Sequence, residues 1–73
     1  MERKNVNVYF SNGDGCLIFG NYPESPNEIE DFQMEQLESW AQTQSYICRI
    51  ENKSGDIYII NPNQIGYVKI CNG

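Results

Sequence analysis

Residues 27–44 read NEIEDFQMEQLESWAQTQ, eighteen positions with neither glycine nor proline. On a helical wheel Ile29, Phe32, Leu37, Trp40 and Ala41 gather on one broad side. Glu28, Asp31, Glu35 and Glu38, spaced three, four and three apart, fall opposite. Ser25 or Asn27 can cap such a segment, and Glu28, Glu30 and Asp31 suit the positive end of a helix dipole. The stretch predicts one amphipathic helix, and the fold follows from what its apolar side must cover.

Upstream, Val6, Val8 and Phe10 alternate with Asn5, Asn7 and Tyr9, the period of a half-buried strand. Residues 11–15 (SNGDG) are rich in residues that accept positive φ, and residues 16–19 give a second strand. A loop of two or of four residues pairs Phe10 with Leu17 and Val8 with Phe19. Residues 20–27 form a connector holding Pro23 and Pro26, which cannot extend a ladder. Downstream, residues 46–51 read as a strand with Cys48 and Ile50 inward and Arg49 and Glu51 outward. A turn at residues 52–55 leads to a strand at 56–60. Residues 61–64 form a turn or a short helical turn, with Pro62 fixing φ. Residues 65–71 close the chain, with Lys69 outward and Val68 and Ile70 inward. The order is ββαβββ: an α+β fold with a small, mainly antiparallel sheet of about five strands, one helix on one face, and room to curl toward a small barrel.

The chain has 73 residues, which suits a single domain, 1–73, with a small core. It has no histidine, and so lacks the commonest general base and the commonest zinc ligand. Ten acidic side chains against five basic ones give −5, which disfavours direct binding to nucleic-acid phosphates. No run approaches the length of a membrane helix, and none follows Met1 that would serve as a signal peptide. Cys16, Cys48 and Cys71 are odd in number and contain no C-x-x-C pair. They read as reduced thiols on strands, which points to the cytoplasm.

Charge is unevenly placed. Residues 5–48 contain seven carboxylates (Asp14, Glu24, Glu28, Glu30, Asp31, Glu35 and Glu38) and no basic side chain, while each end contributes +1. Along the helix, Glu28/Asp31, Asp31/Glu35 and Glu35/Glu38 are like-charge neighbours that each cost roughly 0.2–0.5 kcal/mol, with no lysine on the helix to relieve them. Two readings follow. The stripe is a solvated face that serves solubility, or it docks on a basic protein surface, such as one that normally holds nucleic acid.

A second surface has the same ambiguity. Tyr9, Ile18, Tyr58 or Ile59, and Tyr67 cannot share the face of Val6, Phe10 and Val68. One helix covers one face, so the other is expected to meet a second copy in a homodimer or higher oligomer. Five tyrosines also allow a ligand pocket between copies, although strand tyrosines more often serve as packing residues.

Catalytic and metal motifs find no support. Gly13-Asp14-Gly15 precedes a strand rather than a helix, and Asp14 lacks the neighbouring ligands of a calcium loop. The cysteines lack an activating histidine, and the helix carboxylates show no sign of a cleft. No enzyme activity, metal or cofactor is expected. In size and charge the chain resembles the small acidic inhibitors carried by phages and other mobile elements, a likeness of character that rests on no motif and assigns no residue. The leading expectation is an interaction module or inhibitor presenting Glu28, Asp31, Glu35 and Glu38 to a basic partner. The alternative is an oligomeric ligand-binding or sequestering module using Tyr9, Ile18, Tyr58 and Tyr67.

Overall fold

Alternation sets the first strand, β1 (Lys4–Phe10), in which Val6 and Val8 are fully buried. The computed structural model describes residues 2–13 and 15–72. β2 (Cys16–Gly20) runs antiparallel to β1, placing Phe19 opposite Val6, Leu17 opposite Val8 and Cys16 opposite Tyr9. The expected pairing of Phe10 with Leu17 and Val8 with Phe19 is therefore slid by two residues. A slip of two preserves the face of every side chain, so Val6, Val8, Leu17 and Phe19 still line the interior. The cause is a turn that closes one residue earlier: Phe10 N–H donates to the Gly15 carbonyl at 3.3 Å, and Gly13 N–H to the Phe10 carbonyl at 3.2 Å. Asp14, within that loop, lies outside the described residues.

On the other side of β1 runs β5 (Ile65–Asn72), also antiparallel, with Val68 opposite Val8 and Ile70 opposite Val6. Lys69 opposes Asn7 on the outer face, as alternation requires. The ladder shifts between Tyr9 and Phe10, leaving Gly66 without an opposite number. A Cβ there would come within 3.3 Å of the Ser11 Cα, so this bulge suits glycine. The sheet order is β2-β1-β5. A separate hairpin pairs β3 (Cys48–Glu51) with β4 (Ile57–Ile60), Cys48 facing Ile60 and Ile50 facing Tyr58. A short 3-10 turn, Pro62–Gln64, links β4 to β5, with the Asn61 side chain accepting from Asn63 N–H. The fold is α+β with five strands and one helix, and among the described residues no barrel closes.

The helix α1 (Asp31–Thr43) begins four residues later than the composition suggests. Residues 27–29 are tied by backbone bonds on both sides, with Glu28 bridged to Gly20. Gly20 N–H donates to the Asn27 carbonyl (2.9 Å) and Ile29 N–H to the Gly20 carbonyl (2.8 Å), while Lys53 N–H donates to the Glu28 carbonyl (2.8 Å). Glu30 becomes the N-cap, with no side-chain capping bond. Neither Ser25 nor Asn27 caps the helix. Ser25 Oγ donates to the Tyr22 carbonyl, and Asn27 Nδ2 donates to the Ile18 carbonyl (2.8 Å). Asn27 Oδ1 accepts from the Tyr58 hydroxyl at 2.9 Å. A Cβ on Gly20 would lie 2.5 Å from Ser25 Cβ, so only glycine lets β2 and the connector approach this closely.

The inward side of the helix also differs from the expected one. Gln33, Met34, Leu37 and Trp40 are buried, with Ala41 packed against them, whereas Phe32 is 65% exposed and leaves the expected apolar side. Ile29 is buried, but through the extended segment rather than through the helix. With Val6, Val8, Phe19, Cys48, Ile50 and Ile60 these apolar groups form the core. Trp40 is wholly buried, and its indole N–H donates to the Tyr46 carbonyl.

Asn27 joins three parts of the fold, so Asn27→Ala leaves the Ile18 carbonyl and the Tyr58 hydroxyl without their partner. A loss of about 1–3 kcal/mol is expected, read from urea unfolding followed by Trp40 fluorescence. An unchanged midpoint would show the junction to be dispensable.

Candidate functional site

The four carboxylates expected to share one helix face divide in two. Only Asp31, Glu35 and Glu38 belong to α1, because Glu28 sits in the extended segment before it. Glu28 is paired with Lys53 Nζ at 3.0 Å, and Lys53 also lies 3.7 Å from Glu30. Glu38 is paired with Lys4 Nζ at 3.3 Å, both side chains about three-quarters covered. The absence of a helix lysine is thus answered from outside the helix, by cations 25 and 34 residues away in sequence. Spacing along α1 carries no signal of this relief. The Asp31 carboxylate accepts a 3.4 Å bond from Asn21 Nδ2, and Glu35 is exposed. Among the described residues neither carboxylate has a cation within ion-pair distance.

The hydrogen bond to Glu28 holds the Lys53 ammonium above the ordinary lysine range, outweighing the opposing loss of hydration, and the charges of Glu28 and Glu30 add to it. Because the folded value is raised, the stabilisation is complete below the ordinary lysine range. It disappears as pH rises through the raised value. The link is therefore intact at neutral pH.

The tyrosine surface also divides. Tyr9 and Tyr67 are direct cross-strand partners on the outer face and stack at 4.3 Å between centroids, 18° from parallel. Ile18 lies on that face too, opposite Asn7, whose Nδ2 donates to the Tyr9 hydroxyl at 3.4 Å. Tyr58 does not. It turns inward, meets Phe19 edge-on at 5.3 Å and donates to Asn27. Its neighbours Ile57 and Ile59 take the exposed side of β4, along with Ile47 before β3. The sequence leaves Tyr58 and Ile59 as alternatives because a run of IYII has no polar member to fix its phase.

A cavity of about 460 Å³ opens elsewhere, between the start of α1 and the β3–β4 turn. It is lined by Glu30, Phe32, Gln33, Glu51, Asn52 and Lys53. Asn52 shapes the turn: its N–H donates to the Asp56 carbonyl, and its Oδ1 accepts from Asp56 N–H, both at 2.9 Å. Gln33 is only 9% exposed, and its Oε1 has no hydrogen-bond partner among the described residues. A buried acceptor left unpaired costs about 1–3 kcal/mol. Sequence reasoning passes over Gln33 and Asn52, since a polar residue in a polar-rich helix or turn announces no burial.

The three thiols are free: Cys16 exposed, Cys71 partly covered and Cys48 buried. Burial pushes the Cys48 thiol up, away from the reactive thiolate. Among the described residues no three His, Cys, Asp or Glu side chains gather to hold a metal ion. No helix is long and apolar enough to cross a membrane. Comparison of the chain with protein-family models, curated proteins and solved structures gives no match.

An aromatic disulfide reagent applied to the native protein should label Cys16 first and Cys71 more slowly, leaving Cys48 unmodified until unfolding. Peptide mass mapping over time gives the order. Early labelling of Cys48 contradicts its burial.

Proposed function

We propose that this chain is a small cytoplasmic protein-interaction module, of the inhibitor type, that docks the outer side of α1 on a basic protein surface. The observation that carries the reading is the pair Asp31 and Glu35, exposed carboxylates with no cation within ion-pair distance among the described residues, on a helix whose other side is committed to the core. Glu28 and Glu38 flank them with charge already balanced by Lys53 and Lys4, so they shape the rim of the surface rather than its charged centre. A partner cation then meets two carboxylates that no cation among the described residues balances, and attraction of this kind chiefly raises the association rate. Three unpaired thiols fit a reducing compartment.

The test is charge reversal at that centre, Asp31→Lys with Glu35→Lys. Immobilised wild-type protein should retain basic partners from its host lysate at low salt and release them as screening grows. The double variant should lose at least about ten-fold in association rate, equivalent to ~1.4 kcal/mol in the barrier. Undiminished capture by the variant would reduce the carboxylates to a solubility role.

A second reading, self-association, is supported by Ile47, Ile57 and Ile59, which lie exposed on the hairpin's outer side. The Tyr9–Tyr67 stack adds apolar area on the outer face of the larger sheet. Sedimentation at high protein concentration should give a dimer or larger species, and Ile59→Lys should shift it to monomer. A strict monomer in the wild type removes this reading.

A further inference from the structure

β5 is eight residues long and stands at the edge of the β2-β1-β5 sheet. Phe10 N–H bonds the Gly15 carbonyl and Asn21 N–H the Lys4 carbonyl, so the even-numbered residues of β1 turn their backbone groups toward β2. The bonding direction alternates along an antiparallel ladder. Asn5, Asn7 and Tyr9 therefore face β5, and their partners Cys71, Lys69 and Tyr67 spend their backbone groups on β1. Val68, Ile70 and Asn72 are left with N–H and C=O groups directed away from the sheet. Among the described residues none of these groups meets a backbone partner outside it. The same edge lacks cover on the core side. Ile70 opposes the wholly buried Val6 yet is itself 39% exposed, and Val68, opposite the wholly buried Val8, is only half-buried. On the outer face Tyr67 is 58% exposed and Lys69 follows two positions on. Arg3, Lys4, Arg49 and Lys53 each have a carboxylate within ion-pair distance, and Lys69 has none among the described residues.

We propose that the free edge of β5 pairs antiparallel with the same edge of a second copy of this chain, about a two-fold axis at Val68, to make one six-stranded sheet. A strand is what unpaired edge groups accept, and a two-fold axis normal to the sheet keeps the core sides of both copies on the same side. Lys69 selects the register. An axis at Lys69 sets two ammonium groups directly opposite, which is unfavourable. Axes at Tyr67 or Ile70 pair shorter stretches, 65–69 or 68–72, where the Val68 axis pairs 65–71. At Val68 each Lys69 meets Tyr67 of the other copy, an unpaired cation against an open ring. Val68 then opposes Val68 with its outward N–H and C=O groups bonded in both directions, and Ile70 opposes Gly66, which has no side chain to obstruct it. The contact shares with the self-association reading only the second copy, and it places that copy away from Ile47, Ile57 and Ile59.

Amide hydrogen exchange of the wild-type protein, followed by NMR at low and high protein concentration, reads the edge directly. The Tyr67, Lys69 and Cys71 amides, bonded to β1, should be protected at both concentrations. The Val68 and Ile70 amides should exchange fast in dilute protein and slow by at least about ten-fold where sedimentation gives a dimer. Tyr67→Lys sets lysine opposite lysine twice and should weaken the dimer by at least about ten-fold, whereas Tyr67→Glu meets Lys69 with opposite charge and should not weaken it. Ile70→Pro removes an outward donor that β1 does not use, and should give a monomer with a dispersed, folded spectrum. Fast exchange of Val68 and Ile70 at every concentration leaves the edge to water or to a strand of another protein and overturns the proposal. Equal weakening by Tyr67→Lys and Tyr67→Glu also overturns it. Ile59→Lys separates the two contacts. If it abolishes the dimer while Ile70→Pro keeps it, the hairpin contact stands and the β5 edge fails. If Ile70→Pro abolishes the dimer while Ile59→Lys keeps it, the edge stands and the hairpin contact fails.

Discussion

The structure depends on a three-residue extended segment, 27–29, hydrogen-bonded along both of its edges. On one side it continues the end of β2 through Gly20, and on the other it accepts the backbone of Lys53 from the hairpin turn. Two sheets that share no strand pairing are joined through this segment. The same segment buries Ile29 and aims the Asn27 side chain at Ile18, Tyr58 and Asn52. It also postpones the helix to Asp31. A residue cannot give its backbone groups to a ladder and to a helix at once, and here the ladder wins because it satisfies groups from two separate elements.

That constraint also explains how so acidic a chain holds together. Pulling Glu28 out of the helix brings it to Lys53, and packing α1 against β1 brings Glu38 to Lys4. The basic residues near the ends of the sequence thus neutralise part of the acidic middle in space. The repulsion inferred from helix spacing is confined to Asp31, Glu35 and Glu38, and Glu38 is paired. Ion pairs that water still reaches contribute little individually, about 0–1 kcal/mol. Their effect is to decide where uncompensated charge remains, more than to add stability.

Local period was readable and long-range geometry was not. Alternation in residues 5–10 placed Val6 and Val8 inside, and the strand–helix order of an α+β fold followed from it. The register of β1 with β2 differs by two residues because the turn closes between Phe10 and Gly15, and Ser11 N–H bonds the Gln64 carbonyl, a distant partner that the turn's own sequence does not announce. The helix start was missed because residues 27–30 have helix-compatible side chains, and only the partners at Gly20 and Lys53 reveal their extended backbone. Among the expected site residues, Asp31 and Glu35 are exposed on α1, and Tyr9, Ile18 and Tyr67 share the outer face of the β2-β1-β5 sheet. Glu28 and Tyr58 were displaced by contacts that no local pattern encodes.

A chain of this size cannot bury all its apolar side chains, so an exposed isoleucine on β4 needs no special cause. The pair at the start of α1 is different. Exchanging the environments of Phe32 and Gln33 would bury a large ring and free an amide whose oxygen is unpaired, and both changes favour folding. Local rules are broken most often where a site requires it, and at this position two are broken side by side, on the wall of the same cavity. Surplus hydrophobic area alone explains an exposed phenylalanine, but it does not explain a buried glutamine beside it.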